Sequence, residues 1–162
     1  MTEADLPAVG ALASLIHPDF PEDDAVFAER LGLYPAGCHV LAQGGVLGAD
    51  KLGAYVISHP WIDRQPPALN ARLTALPPQP STYYIHDLAL SAASRGSRAG
   101  AGIVAQLAGL AQAAGLLTMS LVAVNGSEGF WQRQGFAPVA MPGLDAKLRS
   151  YSDDARFMVR VL

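Results

Sequence analysis

An apolar strand that runs into a turn of small residues and then into a helix is the sequence feature that most constrains this chain. The pattern predicts the strand over Thr82–Leu90, the turn over 91–102 and a helix from residue 103 that Gly115 caps. In this arrangement the backbone N–H groups of the turn and the positive end of the helix converge on one point. Small residues let an anion approach the backbone, because a Cβ would hold the anion away. The segment therefore predicts a pyrophosphate-binding turn.

The remaining elements are predicted from apolar periodicity and from turn residues. A helix begins after Thr2, carries Leu6, Val9 and Leu12 on one face and ends before Pro18. Further predicted elements are a helix over 24–33, strands over 39–43, 52–58, 118–124 and 157–162, a helical piece over 126–133 and a Gly-rich link over 44–51. The proline-rich segment 60–80 is predicted to be irregular, with a short helix near 68–76, and to face the substrate. Strands and helices alternate in the second half, which predicts an α/β (α+β) mixed sheet in a single domain over 1–162.

Composition excludes several classes of protein. The chain has 162 residues, of which 51% are apolar and 15% charged, and its formal net charge is -3. The apolar fraction is enough for one core, and the lack of a basic surplus argues against a nucleic-acid partner. No run of about 18 apolar residues occurs, so no membrane partner is expected. Cys38 is the only cysteine and the histidines show no i, i+4 pair, so we expect no disulfide, no metal site and a cytoplasmic location.

The residues after the strand 82–90 resemble the phosphate-binding motif of the GNAT superfamily of N-acetyltransferases. In that family the strand ends in a triplet similar to Leu/Ile-x-Val, and Arg/Gln-x-x-Gly-x-Gly/Ala then opens a long helix. Here the triplet is Leu-Ala-Leu over 88–90, Arg95 occupies the Arg/Gln position and Gly100 the second glycine. Arg98 stands in place of the first glycine. It either disturbs the turn or adds a guanidinium contact to phosphate, and we favour the contact.

The resemblance extends beyond this motif. Residues 130–136, Phe-Trp-Gln-Arg-Gln-Gly-Phe, are similar to the family's aromatic-pair helix that ends in Gly-Phe, and the likeness is strongest over 83–136. It implies a GNAT-like acyl-CoA N-acyltransferase fold, with a central, mostly antiparallel sheet flanked by helices, and acetyl-CoA as co-substrate. The family's first strand normally precedes the first helix, and too few residues stand there for a full strand, so either that strand is missing or the recorded start is truncated.

The resemblance also implies which residues bind the co-substrate. In the family the pantetheine arm pairs with the end of the central strand, which corresponds to Leu88, Ala89 and Leu90. The N–H of Leu90 is then implied to polarise the thioester carbonyl. The pyrophosphate is implied to bind the backbone N–H groups of Arg95, Gly96, Ser97, Arg98, Ala99 and Gly100. Asn125, one residue after the position of a family asparagine, and Trp131, in the place of a family tyrosine, complete the expected site.

A base must also remove a proton from the amine, and His86 and Asp87 are our first choice because they lie on the strand that meets the co-substrate. Strand alternation puts His86 on one face with Tyr84 and Leu88, and Asp87 on the other. Only one of the two then faces the acceptor, unless a β-bulge shifts the register. The competing interpretation is that both serve hydrogen bonds that tie strands or loops together.

The proton donor that the family often uses is absent from its usual place. Trp131 stands there and its indole is a poor acid, which leaves Tyr83, Tyr84, Tyr151 or water to protonate the thiolate. Together with Arg98, this tryptophan favours an alternative in which the domain binds acyl-CoA without catalysis, as a sensor or interaction module. We expect the enzyme, with a small-molecule or peptide amine as acceptor. A homodimer through the final strand is left open.

Two further sequence features carry weaker signals. Residues 100–105, Gly-Ala-Gly-Ile-Val-Ala, fit a dinucleotide-binding fingerprint, but the next strand ends at Val124-Asn125 without the acidic residue that a Rossmann domain needs there. His17 and His39 are expected at surface or capping positions, and Trp61 is expected to serve packing.

Overall fold

The computed structural model describes residues 1–42, 52–141, 143, 148, 152 and 154–162. The strands are β1 (Cys38–Ala42), β2 (Leu52–Trp61), β3 (Thr82–Leu90), β4 (Thr118–Ala123), β5 (Ala137–Pro138) and β6 (Arg156–Val161). The α-helices are α1 (Leu6–Ile16), α2 (Asp24–Leu33), α3 (Ala99–Ala113) and α4 (Glu128–Arg133). Short 3-10 turns occupy Glu3–Asp5, Pro35–Gly37 and Ala92–Ser94.

The predicted helices and strands are confirmed with small shifts at their ends, with two exceptions. The helix predicted near 68–76 is wrong: Asn70 and Thr74 have φ values of 55° and 66°, which no α-helix accommodates, and the segment is irregular. The two-residue strand β5 was not predicted. The predicted link 44–51 lies outside the described residues. No described helix is long and apolar enough to cross a bilayer.

The strands form one six-stranded sheet in the order β1-β2-β3-β4-β6-β5. Every neighbouring pair is antiparallel except β3 and β4, which run parallel with α3 as their crossover. This confirms the mostly antiparallel sheet flanked by helices. Among the described residues no strand precedes α1, and β1 forms that edge of the sheet.

Helices cover both faces of the sheet, because alternate residues of the central strands are apolar on each side. On one face Val104, Leu107 and Ala111 of α3 are buried against strand residues that include Tyr83 and Met119. On the other face α1 and α2 pack on the strands and form a second buried cluster. Its members are Val9, Leu12, Phe27, Leu31, Cys38, Tyr55, Ile57 and Ala89. Each fully buried large apolar side chain stabilises the fold by roughly 1.5–3 kcal/mol.

The connection between β2 and β3 is anchored to α2. The guanidinium of Arg30, which is 1% exposed, donates to the carbonyl oxygen of Ala71 at 2.7 Å and lies 2.7 Å from the carboxylate of Glu29. That carboxylate also accepts the backbone N–H groups of Leu73 at 2.7 Å and Thr74 at 3.1 Å. These contacts hold the segment 62–81 beside the sheet even though it contains no regular secondary structure.

The parallel pair β3 and β4 is joined only at one end. Its register contains Tyr83 opposite Met119 and Tyr84 opposite Ser120, and the two strands separate beyond that point. The edge of β3 from residue 85 to residue 90 therefore faces a gap in the sheet rather than a neighbouring strand.

Candidate functional site

A cavity of about 650 Å³ lies in the gap between β3 and β4. One part of its wall comes from the segment 16–22 after α1 and from residues 66–69. The other part comes from the turn before α3, the first residues of that helix, and α4. The cavity therefore connects the predicted phosphate turn with the segment that joins α1 to α2.

The turn before α3 presents only some of its predicted N–H groups. Arg95, Ser97 and Ala99 donate theirs within the turn, to the carbonyl oxygens of Ser91 and Ser94 and to the hydroxyl of Ser97. These three N–H groups are therefore engaged within the turn, and their assignment to the pyrophosphate stays a prediction. The N–H groups of Gly96, Arg98 and Gly100 have no hydrogen-bond partner among the described residues, and the three residues line the cavity. N–H groups without a partner at a helix N-terminus suit an anion.

Arg98 is the N-cap residue of α3 and adopts the left-handed conformation, with φ 64° and ψ 1°. A glycine reaches this conformation without a steric penalty, whereas a residue with a Cβ does so at a cost of roughly 1–2 kcal/mol. The backbone thus keeps the shape that a glycine would give it. The side chains of Arg95 and Arg98 are exposed and both residues line the cavity, so their guanidinium groups can reach a phosphate there.

Gly100 is small because α3 packs closely at its first turn. A Cβ on Gly100 would lie 3.1 Å from Cζ of Phe130 and 3.5 Å from Cδ2 of Leu90. The neighbours that a Cβ would meet are side chains of α4 and β3. This finding adds a packing reason to the anion-approach reason expected from the sequence.

The free edge of β3 offers two of the three predicted backbone sites. The N–H of Ser91 bonds the carbonyl oxygen of Gly53, and Ala89 pairs with Tyr55, so residues 87, 89 and 91 direct their N–H and C=O groups toward β2. By alternation, those of Leu88 and Leu90 point into the gap. Ala89 is fully buried in the α1–α2 core and does not line the cavity, and its assignment to the co-substrate stays a prediction.

A β-bulge at His86 places both candidate bases on one face of the sheet. Asp87 pairs with Ile57 and Ile85 pairs with Ser58, which leaves His86 as the extra residue of β3. The expectation that alternation would separate His86 from Asp87 is therefore wrong, and the bulge named as its exception is present. Both side chains face the α1–α2 side and line the cavity.

His86 is paired with a carboxylate that comes from the segment before α2. Its Nε2 lies 2.8 Å from Oε2 of Glu22, and the side chains of the two residues are 8% and 6% exposed. The other oxygen of Glu22 accepts the backbone N–H of Asn70 at 3.0 Å. A neutral imidazole that donates its Nε2–H to Glu22 carries its lone pair on Nδ1, where it can accept a proton.

Asp87 is held by a second set of contacts. The hydroxyl of Tyr55 donates to its Oδ2, and Nε2 of His17 lies 3.1 Å from its Oδ1. Nδ1 of His17 lies 3.1 Å from the amide nitrogen of Asn125, the predicted co-substrate contact that follows β4. The series Tyr55, Asp87, His17 and Asn125 therefore bridges the gap between β3 and β4.

These contacts shift the pKa values of the pair in opposite directions. Burial opposes protonation of His17, but the hydrogen bond and the charge of Asp87 outweigh it, so the pKa of His17 lies above its ordinary 6.5. Burial likewise opposes ionisation of Asp87, yet the contacts with His17 and Tyr55 hold its pKa below the ordinary 3.8. Burial and the nearby carboxylate raise the pKa of Tyr55, which stays a hydrogen-bond donor.

The positions of Trp131 and of the candidate tyrosines determine which of them could donate a proton in the cavity. Trp131 is 7% exposed, lines the cavity and packs edge-on against Phe136 at 5.5 Å between ring centroids. Tyr83 is buried, bonds Ser58 at 3.0 Å, and its pKa is raised by burial, so it is removed from the cavity. Tyr84 lines the cavity, and Tyr151 lies outside the described residues.

Three residues of the site were not found from the sequence: Glu22, Tyr55 and His17. His17 is the C-cap residue of α1, as expected, but its side chain is only 16% exposed and faces Asp87 rather than the surface. No local pattern signals these contacts, because each joins segments that are distant in the chain. Within the described residues, no group of three potential ligands could hold a metal ion.

Solved structures with this fold provide the comparison. Ard1 from Thermoplasma volcanium matches with a TM-score of 0.74 at 15% identity, covering 100% of this chain and 94% of that chain. Naa20 of Chaetomium thermophilum, in complex with a bisubstrate analogue, matches with a TM-score of 0.73 at 14% identity, covering 100% and 84%. GphF, a GNAT-like decarboxylase in complex with isobutyryl-CoA, matches with a TM-score of 0.71 at 16% identity, covering 99% and 96%. No protein-family model and no curated protein sequence matches the chain.

These TM-scores show that the chain shares the fold of the matched structures. The chain therefore has the GNAT fold, as the resemblance implied. At these identities the likeness defines the fold, and the chemistry is argued from the site itself.

Proposed function

We propose that this protein is an N-acetyltransferase that transfers the acetyl group of acetyl-CoA to a primary amine by direct attack. The observation that carries the proposal is the Glu22–His86 pair, which opens into the same cavity as the free β3 edge and the N–H groups before α3. N–H groups that can bind an anion, a strand edge whose N–H can polarise a carbonyl, and a base thus line the same cavity. The neighbour GphF is a decarboxylase, so the fold by itself would not select this reaction.

The residues present fit acetyl-CoA at the cofactor end of the cavity. The N–H groups of Gly96, Arg98 and Gly100 would bind its pyrophosphate, and the guanidinium groups of Arg95 and Arg98 would add charge. The free edge of Leu88 and Leu90 would hold the pantetheine arm. The N–H of Leu90 would donate to the thioester oxygen as negative charge develops there. Acetyl-CoA itself supplies an activated acyl group.

At the acceptor end His86 would act as the base. An amine enters mostly as its ammonium form at neutral pH and must lose a proton before it can attack. Nδ1 of His86 would accept that proton, directly or through a water, while Glu22 stabilises the resulting imidazolium. Asp87 would contribute charge beside it, because its own oxygens are engaged by Tyr55 and His17.

No dedicated acid is needed for the leaving thiolate. A thiol has a pKa of about 8.5, so a thiolate departs without full proton transfer near neutral pH. This accommodates Trp131 in the position where the family often has tyrosine. The alternative function, an acyl-CoA-binding domain without catalysis, is favoured by the same tryptophan and by Arg98. Under that alternative the Glu22–His86 pair would serve only to tie β3 to the segment before α2.

A thermal-shift titration with acetyl-CoA, CoA and NAD, followed by a free-thiol assay with a panel of amines, tests the proposal. Acetyl-CoA and CoA should raise the melting temperature with concentration and NAD should not. Thiol release that requires an amine supports the enzyme. Binding without amine-dependent thiol release would support the silent domain instead, and no binding of either CoA species would overturn both. A single catalytic domain over 1–162 and action in the cytoplasm remain predictions.

A further inference from the structure

The charges along the cavity are separated into two ends. The carboxylates of Glu22 and Asp87 belong to the end near the segment 16–22. The described arginines that line the cavity are Arg95, Arg98 and Arg133, and they lie on the turn before α3 and on α4. Among the described lining residues, neither the segment 16–22 nor residues 66–69 contribute a lysine or an arginine. The acceptor end is therefore acidic and the co-substrate end is basic.

The acidic charge at this end is fixed in place. Glu22 is held through one oxygen by the N–H of Asn70 and through the other by His86. Asn70 in turn accepts the N–H of Asp23 at 2.8 Å, so the connection 62–81 and the start of α2 position the carboxylate together. A preorganised carboxylate attracts a cation without a further ordering cost.

The rest of the acceptor end is apolar. Its side chains come from Ile16 and Phe20 on one wall and from Pro66, Pro67 and Leu69 on the other. Proline lacks a backbone N–H, so this wall offers few donors to hydroxyl groups. Leu69 is 36% exposed, which leaves an apolar surface uncovered at the rim.

We propose that the acceptor is a primary amine attached to an apolar group, with no carboxylate next to the amine. This inference rests on the proposed function and names the acceptor class of the same site. A carboxylate beside the reacting nitrogen would lie near Glu22 and Asp87, where segments 16–22 and 66–69 contribute no lysine or arginine to the lining and His17 is already engaged by Asp87. Like charges in a partly buried site repel strongly. A polyhydroxylated amine would lose its hydrogen bonds to water against the proline wall. Alkylamines, arylalkylamines and the amino ends of peptides share the required chemistry.

The test compares acceptors of matched size. Phenylalaninamide has a neutral carboxamide in place of the carboxylate of phenylalanine, phenylethylamine lacks the carbonyl group, and glucosamine carries hydroxyl groups. We expect kcat/KM for phenylalaninamide and phenylethylamine to exceed that for phenylalanine and glucosamine by about tenfold or more. Calorimetry on the protein saturated with CoA should give the same order of affinities. A tripeptide that begins with phenylalanine, compared with phenylethylamine, distinguishes a peptide acceptor from a small amine.

A substitution at the rim makes the inference falsifiable within one protein. Leu69→Lys adds a cation to the wall of the acceptor end and should reduce the preference for phenylalaninamide several-fold. Leu15→Lys is the matched control, because Leu15 is 74% exposed on α1 and does not line the cavity, so its preference should equal that of the wild type. Equal or better use of phenylalanine or glucosamine by the wild type would overturn the acceptor class and leave the acetyltransferase intact. Acetyl-CoA binding without turnover of any amine would overturn the proposed function as well.

Discussion

Nε2 of His86 lies 2.8 Å from a carboxylate oxygen of Glu22, although the two residues are 64 positions apart in the sequence. The contact exists because a β-bulge turns His86 toward the α1–α2 face, where Glu22 precedes α2. Without the bulge, either His86 or Asp87 would face the opposite side of the sheet. The bulge therefore assembles the proposed base from two residues that neither strand alternation nor local spacing would bring together.

Replacement of His86 tests its role as base. His86→Gln keeps a polar side chain but offers no basic nitrogen, so kcat should fall by about 10²–10⁴-fold. The affinity for acetyl-CoA should stay unchanged, because the turn before α3 is untouched; thiol release and calorimetry measure the two quantities. Glu22→Gln should cause a smaller loss in kcat. His39→Gln is the control, since His39 bonds the carbonyl oxygen of Ala36 outside the cavity, and a rate loss equal to that of His86→Gln would contradict the assignment.

Two glycines in the first turn of α3 separate packing from helix propensity. A Cβ on Gly102 meets nothing within 4 Å, so Gly102→Ala should stabilise the protein by roughly 0.5–1 kcal/mol through helix propensity alone. A Cβ on Gly100 would press on Phe130 at 3.1 Å. Gly100→Ala should not gain this stability, because the Cβ presses on Phe130. It should also weaken CoA binding several-fold, because a displaced Phe130 changes the wall of the cavity. Urea unfolding and calorimetry are the measurements, and equal behaviour of the two variants would exclude the packing role.

Arg98 combines backbone strain with a charge, and two substitutions separate these effects. Arg98→Gly and Arg98→Ala both remove the guanidinium, so both should bind CoA more weakly and with a smaller dependence on salt. Only glycine relieves the φ of 64°, so Arg98→Gly should be more stable than Arg98→Ala by about 1 kcal/mol. Unfolding midpoints without ligand test the strain. CoA affinities at low and high salt test the charge, and an affinity that rises in both variants would show that Arg98 obstructs the turn.

The parts of the fold that depend on local pattern were predicted from the sequence. The alternation of Thr82–Leu90 and the periodicity of residues 6–16 each belong to one segment, and the structure confirms both elements. The short helix predicted near 68–76 is wrong, because left-handed residues at Asn70 and Thr74 interrupt it. Nothing in the composition of that segment distinguishes a helix turn from a series of other turns.

The site required information that is distributed over the whole chain. The register with β2 determines which N–H groups of β3 face the gap. Those of Leu88 and Leu90 face it, and that of Ala89 does not. The turn before α3 likewise uses half of its predicted donors for its own hydrogen bonds. Tyr55 belongs to the site only because β2 lies beside β3. Sequence similarity located the turn and the strand, whereas tertiary pairing decided which atoms face the cavity.

The contact between His17 and Asp87 should stabilise the protein most in mild acid. The raised pKa of His17 contributes stability that is complete below its ordinary 6.5 and is lost as the pH rises through the folded value. The lowered pKa of Asp87 contributes stability that is present above its ordinary 3.8 and is lost as the pH falls through the folded value. The two contributions therefore coincide between about pH 4 and 6.5.

His17→Gln should accordingly cost on the order of 1 kcal/mol in the free energy of unfolding at about pH 5, and less at about pH 8.5. Urea unfolding at the two pH values measures the difference. His39 provides a control of opposite sign, because burial lowers its pKa and its protonation therefore opposes folding. His39→Gln should therefore change the free energy of unfolding more favourably at about pH 5 than at about pH 8.5. An equal cost of His17→Gln at both pH values would mean that the contact stabilises through the neutral imidazole alone, and that Asp87 is held chiefly by Tyr55.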